Sequence, residues 1–231
     1  MTDSESVPEY LLERYSDSRT TRSLVQLVPF AGVVDTFLTA TWDQIRKRRA
    51  KEFFDKLDSG AILLSEDIVD SEEFLHCFFI TTRAALSNRR KEKIELFASL
   101  LLSAFDRNGP RNIDDFEELL AILDDITYRE WSALVILDRY SDAPREDSQN
   151  DLQWSLTFWA TFVAEVVEKL EVPSSEFTSF MNRISRTGLY DQFVGGFMDY
   201  SGGIGMLTPR FHRLKGFLLN EHEEQEESLS P

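Results

Sequence analysis

The chain has 231 residues, 42% of them hydrophobic, which is enough for one large domain or two small ones with a real core. Its formal net charge of -16 opposes binding to nucleic acid or anionic lipid over most of the surface, although a local basic patch can override it. The single cysteine excludes an internal disulfide and a cysteine-rich zinc site. It is typical of a reducing compartment, and we expect a cytoplasmic protein.

The first 20 residues are polar and acidic, and a short helix is predicted over Glu9–Tyr15. This segment lacks the basic start and the continuous apolar run of a signal peptide, so export is not expected.

The most apolar window is Leu24–Leu38, and a basic run follows it at Arg46, Lys47, Arg48 and Arg49. One interpretation is a surface for a membrane or a partner, with the basic run as its positive flank. The window is shorter than the roughly 20 residues of a spanning helix, and it contains Pro29 and Gly32, so no stable transmembrane span is expected. We favour a buried helix pair that breaks at Pro29–Gly32 and continues to Leu57, with the basic run in solvent.

A helix is predicted between Ser71 and Asn88, with Phe74 and Phe78 on its inward face. It contains His76 and Cys77, the one pair in the chain that suggests a nucleophile and its base. Adjacent residues of a helix point about 100° apart, so this pair is poorly placed for catalysis.

A helical hairpin is predicted over Lys91–Ile126, around which we expect the core to form. Its first arm carries an apolar stripe at helical spacing, formed by Ile94, Phe97, Ala98, Leu101 and Phe105. Its second arm begins with Asp114 and Glu117, which resemble a capping box.

Thr127 and Glu130 form a further capping box, which predicts a helix through Tyr140. The polar residues 141–150 predict an exposed loop. A long amphipathic helix follows over Leu152–Leu170, and its periodic residues include Leu156. We interpret it as a core helix or a dimer helix rather than a ligand groove.

The remaining pattern is that of a small winged-helix-like module. Ser174 or Ser175 can cap a helix, two strands are predicted at Phe193–Tyr200 and Ile204–Leu207, and Thr208 followed by Pro209 starts a last helix. The predicted fold is therefore all-α, mainly a helical bundle, with a C-terminal winged-helix-like module that contains one β-hairpin. The predicted parts are a helical domain at 1–140, a loop at 141–150, the long helix and module at 151–220, and a disordered acidic tail at 221–231.

Five cations of this module form a possible surface for nucleic acid or a partner, namely Arg183, Arg186, Arg210, Arg213 and Lys215. The acids Glu176, Asp191 and Asp199 and the net charge of the chain oppose the binding of a duplex. We therefore favour packing or protein docking at this surface over DNA binding.

The chain also resembles a known family in a succession of segments. These are EKIELFASLLLSAF, DDFEELLAILDDIT, a helix with tryptophan, RTGLY, a glycine hairpin and LTPRFHRLKGFL. Over Ser71–Leu219 this order resembles the bacterial Abi-alpha-like proteins of abortive infection and their uncharacterised relatives. The chain departs from them at Phe211 and His212, where the family has a glycine, and in the long helix Leu152–Leu170. The resemblance implies a role in phage defence, and the family has no established catalytic residues to transfer.

The sequence contains no phosphate-binding loop, metal-ligand cluster or catalytic triad in a supporting context, so we predict no catalytic residue, cofactor or metal. The favoured function is a non-enzymatic bacterial interaction or regulatory protein, in phage defence, with a protein partner or a second copy of itself. The alternatives are a DNA-binding winged-helix regulator and a membrane-active effector that uses residues 24–51.

Overall fold

A computed structural model of the chain describes residues 6–28, 39–60, 66–105, 112–193 and 203–219. Within these ranges the chain forms eleven α-helices, one 3-10 turn and a two-stranded antiparallel sheet. The prediction of a mainly helical fold with a small β element near its C-terminal end is confirmed. The chain divides into two compact units, one formed by Met1–Leu123 with Gly216–Pro231 and the other by Asp124–Lys215.

Among its described residues, the first unit contains helices joined by turns and no strand. Its helices are α1 (Val7–Arg14), α2 (Arg19–Leu27), α3 (Thr39–Ser59), α4 (Glu66–Val69), α5 (Glu72–Ser87), α6 (Lys91–Ala104) and α7 (Ile113–Asp125), the last of which runs past the boundary of the unit. Helix α3 packs against α5 and α6. Its residues Ala50, Phe53, Phe54 and Leu57 follow helical spacing, and all four are buried.

Helix α1 is attached to α3 by hydrogen bonds that converge on Asp55. Arg14 Nη2 and the hydroxyl of Tyr15 each lie 2.8 Å from Asp55 Oδ1, and Lys51 Nζ lies 2.7 Å from Oδ2. Burial alone would raise the pKa of Asp55, but the hydrogen bonds from Lys51, Tyr15 and Arg14 outweigh it and lower the pKa. The carboxylate therefore stays ionised and joins two helices that are far apart in the sequence.

The apolar window Leu24–Leu38 is described only in part. Leu24 and Val25 lie in α2 and are buried, whereas residues 29–38 lie outside the described residues. In the described part of the chain, no helix combines the length and the apolar character needed to cross a bilayer.

The hairpin of α6 and α7 has the predicted core stripe. Ile94, Phe97, Ala98 and Leu101 are buried, while Phe105 follows the end of α6 and is half-buried. The predicted cap of α7 at Asp114 is wrong. The side chain of Asn112 accepts a hydrogen bond from the Asp115 amide at 2.8 Å, because asparagine is an equally good cap and stands directly before Ile113.

The second unit contains longer helices and the sheet. Its elements are α8 (Tyr128–Ser141), α9 (Asp151–Leu170), a 3-10 turn (Ser174–Glu176), α10 (Phe177–Ser185), β1 (Tyr190–Gln192), β2 (Gly205–Leu207) and α11 (Pro209–Leu219), whose last residues belong to the first unit. The capping box of α8 is confirmed, since the Glu130 amide donates to Thr127 Oγ1 at 3.2 Å and the Thr127 amide donates to Glu130 Oε2 at 2.7 Å. The start of α11 is also confirmed, with Thr208 Oγ1 accepting from the Phe211 amide.

One local prediction in this unit is wrong, and another falls largely outside the described residues. Neither Ser174 nor Ser175 caps α10, because both lie in the 3-10 turn that leads directly into that helix. Of the predicted strand Phe193–Tyr200 only Phe193 is described, and it directly follows β1 (Tyr190–Gln192), while residues 194–202 lie outside the described residues. Gly188, at φ 72°, ends the turn after α10, and β1 begins two residues later.

Glycine at position 205 is required by the pairing of the two strands. Gly205 is the partner of Gln192, and a Cβ atom there would lie 2.1 Å from the carbonyl oxygen of Asp191. Tyr190, which is fully buried, donates its hydroxyl to the carbonyl of Gly203 at 2.6 Å. The short sheet is therefore fixed by backbone pairing and by one buried tyrosine.

Helix α9 is confirmed in its length, but one predicted inward residue points outward. The buried residues of α9 are Trp154, Ser155, Phe158, Trp159, Phe162 and Val166, whereas Leu156 is 54% exposed. Residues two positions apart lie about 200° apart around a helix, so Leu156 cannot share a face with Trp154 and Phe158. The apolar residues of α9 therefore span a wider arc of the helix than the part that packs into the core.

Candidate interaction surfaces

The basic residues of the second unit are largely neutralised by acids of the same unit. Arg183, in α10, places its Nε 2.6 Å from Glu130 Oε1, and the Glu130 side chain has no solvent exposure. Burial raises the pKa of Glu130, but hydrogen bonds from Thr127 and Arg183 outweigh it and lower the pKa. Arg183 therefore compensates a buried carboxylate rather than offering a free charge.

Two other cations of this group also face carboxylates. Arg186 lies 2.9 Å from Asp125, with both side chains about half exposed, and Lys215 lies 3.0 Å from Asp138. Arg210 and Arg213 are exposed on α11. The five predicted residues thus lie on α10, on the turn after it and on α11, and at least three of them are paired with acids within the unit.

The basic run of α3 is divided between solvent and structure. Arg46 and Arg48 are exposed, while Lys47 lies over the ring of Tyr10 at 5.7 Å from its centroid. Arg49 Nη1 donates to the carbonyl of Leu86 at 2.7 Å. Because Leu86 is in the last turn of α5, its carbonyl has no partner within the helix, and Arg49 caps that end. Burial lowers the pKa of Arg49, with a smaller effect in the same direction from Arg48.

The structure does not build a nucleophile site from His76 and Cys77. His76 Nε2 lies 2.6 Å from Glu117 on the surface, whereas Cys77 is buried. Burial, with a smaller effect from Glu117, raises the pKa of Cys77 to about 11, so the thiolate is scarce at neutral pH. Among the described residues, no group of three or more His, Cys, Asp or Glu is arranged to hold a metal ion.

One exposed apolar surface lies on α5 and is here named the α5 face. It consists of Leu75, Phe79, Arg83 and Leu86, which recur at helical spacing. At the centre of the α5 face Phe79 is 42% exposed, and Leu75 and Leu86 are half-buried on either side of it along the helix. Arg83, Arg89 and Arg90 are exposed at the C-terminal end of the helix and in the turn that follows. The sequence places Phe79 beside the inward stripe but does not show that it reaches solvent.

A second exposed surface lies on α9 and is here named the α9 outer face. It consists of Gln153, Leu156, Thr157, Ala160, Thr161 and Ala164, all of which are exposed and none of which is charged. The sequence does contain a signal for this surface. The apolar residues of α9 span a wider arc of the helix than one layer of neighbouring elements can bury.

The comparisons with known proteins do not extend these observations. No protein-family model, curated protein or solved structure matches this chain.

Proposed function

We propose that this chain is a non-enzymatic bacterial interaction protein of the cytoplasm, which acts in phage defence by binding another protein through the α5 face. The observation that carries the proposal is Phe79, a phenylalanine 42% exposed on a helix whose other large aromatic residues, Phe74 and Phe78, are fully buried. Exposed aromatic anchors among half-buried aliphatic neighbours are typical of the centres of protein interfaces.

The charge at one end of the α5 face indicates the chemistry of the partner. Arg83, Arg89 and Arg90 are exposed there, in a chain whose net charge is otherwise strongly negative. A partner helix or strand that offers apolar side chains, with acidic groups at one end, would complement this surface.

The placement in phage defence is supported by the resemblance of residues 71–219 to the abortive-infection proteins. It is tested by expressing the chain in bacteria and measuring plaque formation by a panel of phages. We expect the wild-type chain to reduce plaque formation by at least one phage, and Phe79→Asp to restore it to the level of cells that lack the protein. Protection by Phe79→Asp equal to that of the wild type, or the absence of protection against every phage, would contradict the proposal.

Leu27→Asp is the matched control, because Leu27 is 39% exposed on α2, outside the α5 face. It should protect as well as the wild type. A photo-reactive phenylalanine analogue at position 79 should give a discrete crosslinked product in infected cells, and the same analogue at position 27 should not. Circular dichroism of the purified variants checks that both remain folded.

A further inference from the structure

Two basic segments that are far apart in the sequence meet at one end of the first unit. Arg49 of α3 donates from Nη1 to the carbonyl of Leu86 at 2.7 Å, and the rings of Phe54 and Phe78 lie 6.3 Å apart. Because the earlier residue of α3 contacts the later residue of α5, the two helices run antiparallel. The start of the basic run of α3 therefore lies at the level of the turn that follows α5.

This part of the first unit is here named the basic end, and it consists of Arg46, Arg83 and Arg89, all of which are exposed. The segment 83–91 contains four cations and no acid, in a chain whose net charge is -16. One of the four cations, Lys91, pairs with Glu95 at 3.3 Å. A local concentration of positive charge on an acidic protein attracts an anionic segment.

A strongly acidic segment follows α11, which ends at Leu219. Residues 221–227 contain five glutamates and no Lys or Arg, and they lie outside the described residues. The last residues of α11 and this segment belong to the same unit as α5. The segment therefore begins on the unit that carries the basic end.

The acidic segment begins near the other end of α5. Ser103, close to the end of α6, donates its hydroxyl to the carbonyl of Phe217 at 2.6 Å. The ring of Phe105, directly after α6, lies 4.9 Å from the ring of Phe74 at the start of α5. The end of α11 is therefore fixed at the level of the start of α5.

The five glutamates can reach the basic end without a rearrangement of the helices. Arg83 stands nine positions after Phe74, about 14 Å along α5, and Ser87 at the end of α5 is about 20 Å from Phe74. Glu227 stands eight positions after Leu219, and eight residues of extended chain span up to about 28 Å. The length of the segment thus matches the distance along α5.

We propose that the acidic segment 221–227 binds the basic end of the same chain, where it competes with the acidic groups of a partner for Arg83 and Arg89. The contact is autoinhibitory, because Arg83 belongs to the α5 face and Arg89 lies beyond its C-terminal end. The competition rests on the proposed function of the α5 face, whereas the contact within the chain can be measured without a partner.

The covalent link makes the chain's own segment the favoured occupant of the basic end. It supplies the glutamates at an effective concentration of millimolar order, which a free anion of the same affinity does not reach. Exposed ion pairs are individually weak and are screened by salt. The segment is therefore held loosely enough for a partner to displace it.

Carbodiimide crosslinking of the purified chain tests the contact. Arg83→Lys and Arg89→Lys each keep the positive charge and supply an amine, which the reagent joins to a nearby carboxylate. We expect monomeric protein at low salt to give a peptide that joins position 83 or 89 to residues 221–227. Its yield should fall at least about tenfold in about 1 M salt, where charges are screened beyond roughly 3 Å.

Arg22→Lys is the matched control for the crosslink, because Arg22 is exposed on α2, outside the basic end. It should give no joined peptide above the background of the wild-type chain. Equal yield at position 22, or no joined peptide from either position 83 or position 89, would overturn the proposal.

A labelled peptide with the sequence of residues 220–231 measures the competition by fluorescence anisotropy. It is bound to the wild type and to a variant with glutamine in place of five glutamates, namely Glu221, Glu223, Glu224, Glu226 and Glu227. The variant should bind the peptide at least about tenfold more tightly, because its own segment no longer competes. Addition of Arg83→Gln and Arg89→Gln to the variant should remove this gain.

The matched control for net charge neutralises five exposed acids of the second unit, namely Asp142, Glu146, Asp147, Glu168 and Glu171. It should bind the peptide like the wild type. Equal binding to the wild type and the variant without the five glutamates, or no binding to that variant up to about 1 mM peptide, would overturn the proposal.

The outcomes distinguish a failure of this inference from a failure of the proposed function. Both experiments use the purified chain, so their results stand if the chain protects against no phage. Phe79→Ala should leave the crosslink to residues 221–227 unchanged, because it alters no charge. In infected cells, neutralising the five glutamates should increase the crosslinked product of the photo-reactive analogue at position 79. An unchanged amount of that product would contradict the competition with a partner.

Discussion

Arg183 Nε lies 2.6 Å from Glu130 Oε1, and this contact joins a half-exposed guanidinium to a carboxylate with no solvent exposure. Glu130 also accepts the Thr127 amide at the start of α8, so one buried side chain both caps that helix and holds α10 through Arg183. For Arg183 to bind a phosphate, it would have to leave a buried charge unpaired, which is costly.

The first prediction follows from this pair. Arg183→Ala should lower the free energy of unfolding by about 2 kcal/mol, because the Glu130 carboxylate remains buried but loses its cation. Arg186→Ala is the matched control, since its pair with Asp125 is about half exposed on both sides and should contribute less than about 1 kcal/mol. Urea denaturation measures both. Equal losses of unfolding free energy in the two variants would show that Arg183 does not stabilise the buried Glu130 carboxylate.

The loss of stability in Arg183→Ala depends on pH, because Arg183 pairs with the ionised form of Glu130. The pKa of Glu130 is lowered in the folded state, so its contribution to stability is complete above the unfolded pKa of about 4.3 and disappears as the pH falls through the folded pKa. The difference in stability between the wild type and Arg183→Ala should therefore be largest near neutral pH and shrink in acid.

The second prediction concerns DNA. We expect no micromolar binding of random duplex DNA at low salt, because Arg183, Arg186 and Lys215 are each paired with an acid in the second unit. Fluorescence anisotropy measures the binding. Micromolar affinity that falls steeply with salt, and that is lost in Arg183→Ala with Arg186→Ala, would contradict this prediction and favour the DNA-binding regulator.

The third prediction concerns membranes. The purified chain should stay monodisperse without detergent and should not sediment with anionic liposomes at physiological salt. The structural reason is that Arg49 caps α5 and Lys47 lies against Tyr10, which leaves two of the four cations of the basic run, Arg46 and Arg48, exposed. Sedimentation that disappears when Arg46, Lys47, Arg48 and Arg49 are neutralised would favour the membrane-active effector.

The fourth prediction separates core residues from the α9 outer face. Phe97→Ala or Leu101→Ala should cost roughly 2 to 5 kcal/mol of unfolding free energy, because both side chains have no solvent exposure. Leu156→Ala should cost less than about 0.5 kcal/mol, because that side chain is 54% exposed. A large loss for Leu156→Ala would show that this side chain is covered within a single chain.

The features that the sequence predicts best are those whose signals lie within a few residues. The capping box of Thr127 and Glu130 and the start at Thr208 and Pro209 are examples, because cap and helix adjoin one another. The sequence does not distinguish Asn112 from Asp114 as the N-cap of α7, because both residue types suit that position.

The features that the sequence does not predict depend on residues far apart in the chain. Arg183 is 53 positions from Glu130, and Tyr15 is 40 positions from Asp55, so no local pattern indicates either pair. Periodicity likewise predicts that Leu156 belongs to an apolar helix, but only the packing of α9 decides which part of a wide apolar arc is buried. The sequence therefore identifies some of the residues of the candidate surfaces, but it does not predict which acids they pair with or how exposed they are.

The last prediction concerns the end of α9, where Glu171 adopts a left-handed conformation with φ 52° and ψ 40°. This conformation is unfavourable for a residue with a Cβ atom, and glycine adopts it readily. An acid at a helix C-terminus also interacts unfavourably with the helix dipole. Glu171→Gly should therefore raise the free energy of unfolding by about 1 kcal/mol, whereas Glu168→Gly, three positions earlier and inside the helix, should lower it by about the same amount. Thermal unfolding followed by circular dichroism measures both shifts. Destabilisation by both substitutions would mean that the Glu171 side chain stabilises the fold by more than its backbone strain costs.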